Sequence, residues 1–215
     1  MSTERTAVPD VSLIETMRLE EGRVVRLDGH LSRAQASAQA LGTLWKAAPI
    51  AAAIDATAAA HPAGTWRLRL LVSVSGDPVV ECGPFTHERD RVWRVAIASE
   101  PVASGAWFLR HKTTNREVYN RARTARPDTD DVLLVNERGE ITESTIANVV
   151  AEIDGVRVTP PVTCGLLPGV FRAALLAAGE IQERVITEAD LAVATRLWLI
   201  NSLREWIPAT LVGRV

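Results

Sequence analysis

Apolar residues recur along this chain in two rhythms. Leu31, Ala34, Ala38, Leu41 and Trp45 stand three and four positions apart. That spacing gathers them on one face and predicts a helix over 30–45, with Asp28 as its N-cap. A second helix is expected over 49–60, opened by Pro49. Further on the rhythm shortens to two. Over 66–75, Leu68, Leu70 and Val72 alternate with Arg67, Arg69 and Leu71, as in a strand that carries two arginines on one side. Strands are also predicted over 12–18 and 23–27, on either side of the turn residues Glu20 to Gly22, and over 92–98.

Residues 100–105 show no period and contain Pro, Ser and Gly, so a domain boundary is placed there, giving domains 1–103 and 104–215. The second half predicts a polar helix over 113–125, a strand over 132–135, a turn over 136–139 and a strand over 146–153. Asp154-Gly155 is a hairpin signal leading into a strand over 156–159. Residues 160–168 hold three prolines and a glycine and read as loop. A helix over 169–178 follows, then a capping box at Thr187 to Asp190, with Asp in the usual Glu place. The last strands are expected over 197–200 and 207–212. The mixture is α+β.

Composition narrows the function classes. The chain has 215 residues, 47% of them hydrophobic, enough for one or two domains with a sizeable core. A net charge of -2 with no dominant basic patch argues against nucleic acid as a partner. Two cysteines, Cys82 and Cys164, form neither a metal-type nor a disulfide framework, and no metal is expected. The polar opening lacks the apolar run of a secretory signal. The Ala-rich stretch 47–60 is interrupted by Asp55 and too short to span a bilayer. A cytoplasmic protein with no membrane partner is the expectation.

The candidate chemistry lies at Lys112, in F-L-R-H-K-T-T-N-R, and between residues 133 and 172. A lysine whose amine is kept neutral by burial or like charge attacks aldehydes to form a Schiff base; Arg110, His111 and Arg116 lie close in sequence. Glu143 follows a turn and precedes an apolar strand, where a carboxylate can hold a pyridinium proton. The run Gly165-Leu-Leu-Pro-Gly169 enters a helix, and the free N–H groups of such a turn favour phosphate. An amine, a carboxylate and a phosphate cradle are what pyridoxal 5'-phosphate (PLP) requires. Arg33, at the margin of the first helix's apolar stripe, has the reach to bind a phosphate bidentately. Arg67 and Arg69 can clamp a substrate carboxylate. Each residue taken singly also has a plain reading: a solvated lysine, a turn glutamate, an ordinary loop-to-helix junction, arginines facing water.

In order and spacing, these pieces resemble the class IV aminotransferases, the fold-type IV PLP enzymes, from about Leu13 to Pro208. The densest motifs are N-E-R-G-E-I-T-E-S-T-I-A-N and T-P-P-x-T-x-x-L-L-P-G-x-x-R. The resemblance implies a smaller N-terminal α/β domain, a C-terminal domain with a barrel-like sheet, a cofactor held between them, and a homodimer. It implies Lys112 as Schiff-base lysine and proton shuttle, Glu143 as partner of the pyridine nitrogen, and Arg33 as a phosphate ligand. Leu167 would pack on the ring. Val170 and Phe171 would give backbone N–H groups to the phosphate, with the Ser202 hydroxyl nearby. Arg69 would touch a carboxylate of a small amine-bearing substrate.

I-E-T-M-R at 14–18, K-T-T-N-R at 112–116 and N-S-L-R at 201–204 look most like the aminodeoxychorismate lyases, which make 4-aminobenzoate and pyruvate on the way to folate. There Thr16 would help to move a proton. The alternative is an aminotransferase of branched-chain or D-amino-acid type, passing an amino group to a 2-oxo acid. Three features depart from the family pattern. Thr6 to Ser12 replaces the usual Gly-Asp-Gly lead-in, Glu117 stands five residues after the lysine where branched-chain relatives have Tyr, and Glu205 follows N-S-L-R where many relatives have Gly.

Overall fold

The structure is a computed structural model that describes residues 11–88 and 90–214. The polar opening of the chain, including most of the replaced lead-in, lies outside the described residues. Two compact units emerge. One runs through Phe85 and takes in His111–Asn115; the other comprises Thr86–Arg110 and the chain from Arg116 onward.

In the first unit, β1 (Leu13–Glu20), β2 (Arg23–Val24), β3 (Thr65–Val72) and β4 (Pro78–Pro84) form one antiparallel sheet in the order β2-β1-β3-β4. Its helices are α1 (Leu27–Leu41) and α2 (Ala47–Ala60). Period-two alternation puts Leu13, Glu15, Met17 and Leu19 on one face of β1. All four are buried, along with Leu68, Leu70 and Val72 of β3 and Ala34, Ala38 and Leu41 of α1. The opposite face carries Thr16 and Arg69, which are direct register partners.

The expected helix over 30–45 lies one turn earlier. α1 starts at Leu27, directly after Arg26, whose φ of 59° is left-handed. Asp28 is therefore inside the first turn and caps nothing, although its charge still suits the positive end of the helix dipole. The helix stops at Gly42, φ 71°, a conformation that glycine adopts without a Cβ penalty. Trp45 lies beyond it. β4, which had no strong alternation in sequence, is an edge strand with exposed positions.

In the second unit the strands are β5 (Trp93–Ile97), β6 (Asp131–Val135), β7 (Ile141–Ser144), β8 (Asn148–Ile153), β9 (Val156–Thr159), β10 (Gln182–Glu183), β11 (Arg196–Asn201) and β12 (Glu205–Arg214). The helices are α3 (Glu117–Ala125), α4 (Val170–Ala177) and α5 (Glu188–Val193). Pairing of β7 with β8 closes β8-β11-β12-β5-β6-β7 into a six-stranded ring among the described residues. This is the barrel-like sheet the resemblance implied.

β6 and most of β8 are covered on both faces, so V-L-L-V and V-V-A within them run apolar without alternation. Val95, Ile97, Leu133, Val135, Val149, Ala151, Leu199 and Ile207 fill the interior. On the outside, Val132 and Leu134 pack with Leu109 and Tyr119. Val150 and Ile200 pack with Phe171 and Leu175 of α4. Burying each Val, Leu, Ile or Phe side chain among them is worth about 1.5–3 kcal/mol. The expected Asp154-Gly155 hairpin joins β8 to β9, and the capping box at Thr187 and Asp190 is present with both of its hydrogen bonds.

Candidate active site

The first unit brings Lys112 beside β1. Ile14 N donates to Lys112 O at 2.8 Å, Thr114 N donates to Ser12 O at 2.9 Å, and Thr113 forms a bridge to Leu13. The lysine's backbone is thus fixed as an added edge to the strand that carries Thr16. Residues 113–116 are consequently not helical, and α3 starts only at Glu117. His111 Nδ1 is 3.0 Å from Ser37 Oγ of α1.

Arg33 projects from α1 onto Glu15. Its Nε donates to Oε1 at 2.9 Å and its Nη2 to Oε2 at 2.5 Å, the fork geometry that suits a carboxylate. His30 Nδ1 meets Glu15 Oε2 at 2.6 Å. A carboxylate oxygen only accepts, so that ring nitrogen carries the hydrogen. Burial alone would raise the Glu15 carboxyl, but the charge of Arg33 and the hydrogen bonds from His30 and Arg33 outweigh it and bring it down to about 2. The sequence alone assigned no role to Glu15 or His30. The I-E-T-M-R motif pointed at the first of them without saying why it matters. On the other sheet face, Arg69 Nη1 donates to Glu81 Oε2 at 3.2 Å across the β3–β4 pair.

The second unit holds the remaining candidates. Glu143 does not sit between a turn and a strand: it lies inside β7, opposite Asn148 of β8, and is only 4% exposed. Tyr119 donates its hydroxyl to Glu143 Oε1 at 2.8 Å. Asn148 Nδ2 approaches Oε2 at 3.5 Å and donates to Leu167 O at 2.9 Å. One asparagine therefore ties the carboxylate's strand to the turn before α4. Glu117, where branched-chain relatives carry tyrosine, is exposed, within 3.9 Å of Arg121 on its own helix.

The turn before α4 leads into a helix N-terminus, whose amides are the kind of donor a phosphate takes. Gly169 caps the helix in an extended conformation with no side-chain cap bond, leaving Val170 and Phe171 as its first amides. A Cβ on Gly169 would stand 2.0 Å from Asn148 Oδ1, so the asparagine amide lies this close to the helix end only because the residue is glycine. Earlier in the same loop Gly165, φ 88°, lies with its Cβ direction 2.6 Å from Ser104 Cα. Leu167 is half-buried. Ser202 is buried in the three-residue turn between β11 and β12, where Asn201 Oδ1 accepts from Leu203 N at 3.1 Å and Arg204 N at 2.8 Å. Glu205 closes that turn at φ 58°. That left-handed backbone is one that glycine adopts without a Cβ penalty.

The first unit thus holds a lysine fixed at a strand edge, and the second a buried carboxylate with a tyrosine donor and a helix N-terminus preceded by glycine. The chain belongs to the class IV aminotransferases ("Amino-transferase class IV"), which match residues 12–212, and these enzymes are PLP-dependent. The chain is 30% identical to a "Putative aminodeoxychorismate lyase" of Schizosaccharomyces pombe over 94% of its own length and 90% of that protein's. It is 41% identical to the crystal structure of a "Putative amino-acid aminotransferase" of Mesorhizobium loti, with a TM-score of 0.89, 94% of this chain and all of that one being covered. A "hypothetical aminotransferase from Mycobacterium tuberculosis, PLP-bound form" shares the fold at 22% identity and a TM-score of 0.82, covering 100% of this chain and 87% of that one. The protein is a PLP-dependent enzyme, a lyase or an aminotransferase.

Proposed function

We propose that the enzyme is a lyase of the aminodeoxychorismate type, converting 4-amino-4-deoxychorismate to 4-aminobenzoate and pyruvate on the path to folate, and that it works as a homodimer. The observation that carries this reading is the register of β1 on β3. Thr16 lies directly opposite Arg69 on the sheet face that α1 does not cover. A hydroxyl able to pass a proton thus stands beside a guanidinium able to hold a substrate carboxylate.

The remaining assignments are those that the family resemblance implies. Lys112 would provide the amine for the cofactor's aldehyde and the base for the substrate proton. Glu143 would hold the proton at the pyridine nitrogen. Arg33, the Val170 and Phe171 amides and the Ser202 hydroxyl would hold the phosphate, and Leu167 would pack on the ring. PLP, when bound, supplies the electron sink. The protein groups act locally around it. Glu15 orients Arg33, α4 orients the amides, and Thr16 stays beside Arg69.

A second reading is an aminotransferase, favoured by the 41% identity to the Mesorhizobium loti structure. Product analysis separates the two. Pyruvate and 4-aminobenzoate released from aminodeoxychorismate, and strongly reduced in Thr16→Val, support the lyase. Glutamate formed from 2-oxoglutarate and an amino acid, with no pyruvate from aminodeoxychorismate, overturns it. Light scattering tests the dimer.

A further inference from the structure

Tyr119 is the only tyrosine in the chain, and no role in the proposed chemistry has been given to it. It is 7% exposed and donates to Glu143, itself 4% exposed, at 2.8 Å. The tyrosine is held from its other side as well. The Arg116 guanidinium lies over its ring, 4.8 Å from the centroid, while Arg116 Nη2 donates to Thr145 O at 2.6 Å. Arg116 precedes the first turn of α3, and Thr145 follows β7 directly. The start of the helix is therefore tied to the strand of the carboxylate at two points.

Burial, and then the charge of Glu143, push ionisation of the Tyr119 phenol far above its ordinary value. At any working pH the hydroxyl keeps its hydrogen, and toward Glu143 it acts as a donor.

We propose that Tyr119 is a positioning residue for Glu143, its hydroxyl holding Oε1 so that the carboxylate keeps one orientation and stays ionised while it meets a protonated ring nitrogen. This rests on the reading of Glu143 as the partner of the pyridine nitrogen. The physical reason is direct. A donor to a carboxylate lowers its proton affinity. A proton shared between that carboxylate and a heterocyclic nitrogen then remains on the nitrogen, where it preserves the ring's electron-withdrawing character. Without the hydroxyl, the carboxylate gains proton affinity and rotational freedom together, and the shared proton drifts toward Oε.

The test compares wild type, Tyr119→Phe, Glu143→Gln and the double variant as PLP-loaded enzymes. For each, the cofactor's visible absorption band, its dissociation constant, and kcat and KM are measured. Tyr119→Phe is expected to lower kcat roughly ten-fold with KM within about two-fold, the size of one lost hydrogen bond to a charged group. It is also expected to move the absorption band. The double variant is expected to be no worse than Glu143→Gln alone. If Glu143→Gln impairs the enzyme while Tyr119→Phe matches wild type, or if the two losses multiply in the double variant, the inference is overturned and the Glu143 assignment stands. If Glu143→Gln itself changes neither band nor kcat, the Glu143 assignment falls, and the inference with it.

A second measurement does not depend on a variant that folds. Growth on 3-fluorotyrosine labels this single position, and the fluorine resonance is expected to shift when the apo-protein takes up PLP. An unmoved resonance at full loading overturns the inference.

Discussion

Arg33 grips Glu15 with two parallel hydrogen bonds, 2.9 Å from Nε and 2.5 Å from Nη2, while His30 closes on the same carboxylate from its own helix turn. The pair lies between α1 and β1, with the Arg33 side chain 11% exposed and that of Glu15 2%. A buried fork of this kind fixes the direction of the guanidinium. If Arg33 is the phosphate ligand proposed above, Glu15 sets its aim.

Glu15→Gln is therefore expected to weaken PLP binding by about ten-fold or more, since a neutral amide cannot accept both bonds and leaves a buried cation without its counter-charge. The acid limb of stability should change too. The Glu15 carboxyl falls from an ordinary 4.5 to about 2 in the folded protein. A depressed carboxyl contributes stability that is fully present above the unfolded value and lost as pH falls through the folded one. Wild type should thus lose about 3 kcal/mol between about pH 4.5 and pH 2 from this group alone. Denaturant unfolding at several pH values, with a flatter profile in Glu15→Gln over that window, checks the sign. An identical slope in both proteins contradicts it.

Gly169 offers a sharper probe of the cradle. Its Cβ position is 2.0 Å from Asn148 Oδ1, a distance no real contact tolerates. In Gly169→Ala the asparagine side chain must turn away, releasing the Leu167 carbonyl that it now holds at 2.9 Å. The expected outcome is a folded protein whose PLP dissociation constant rises by about ten-fold or more, in line with one lost hydrogen bond plus a displaced helix end. Titration of apo-protein with PLP measures it. Unaltered affinity would mean that this turn does not hold the phosphate.

Glu205 sits at φ 58°, where a Cβ crowds the following carbonyl. Glu205→Gly should relieve about 1 kcal/mol of backbone cost, less whatever the side chain contributes through its own contacts. A rise in Tm of about 2–4 °C is expected for a chain of this size. A strained residue retained in a turn next to Ser202 is also a position at which substrate choice can differ. The same variant should therefore be assayed against both aminodeoxychorismate and amino acids. A fall in Tm would show that the glutamate's contacts outweigh its backbone cost.

Much of this was legible in sequence because the relevant signals are local. The Asp154-Gly155 hairpin, the Thr187 capping box and the alternation of Leu68, Leu70 and Val72 each depend on a few neighbouring residues. What escaped depends on distant ones. I-T-E-S at Ile141–Ser144 has no apolar rhythm, yet all four residues are buried, because the closing of the barrel covers both faces of the strand. Asp28 looked like a cap because short polar residues favour that place. Left-handed Arg26 let the helix start earlier instead. The placing of Lys112 against β1 joins residues about a hundred positions apart, a pairing no spacing rule reaches. Glu15 and Tyr119 belong to the same category: their importance lies in partners 18 and 24 residues away.

Cys164 gives a test of the loop that leads to the phosphate turn. The residue is 1% exposed, in a short helical turn directly before left-handed Gly165. The loop is pinned there, since Asn136 Nδ2 donates to Cys164 O at 2.9 Å and to Glu140 Oε2 at 2.7 Å. Burial first, and then the Glu140 carboxylate, push the Cys164 thiol up to about 12. At pH 8 only about one molecule in ten thousand would carry the reactive thiolate, against roughly a quarter for an ordinary cysteine. Iodoacetamide should therefore leave Cys164 unmodified in the native protein and alkylate it in denaturant, with intact-mass and peptide analysis locating the adducts. Cys82, half-buried on edge strand β4, serves as the internal comparison: its thiol is also raised by burial but is not enclosed. Rapid native alkylation of Cys164 would mean that the loop opens readily. The Leu167–Gly169 turn could then not be the preformed phosphate cradle proposed above.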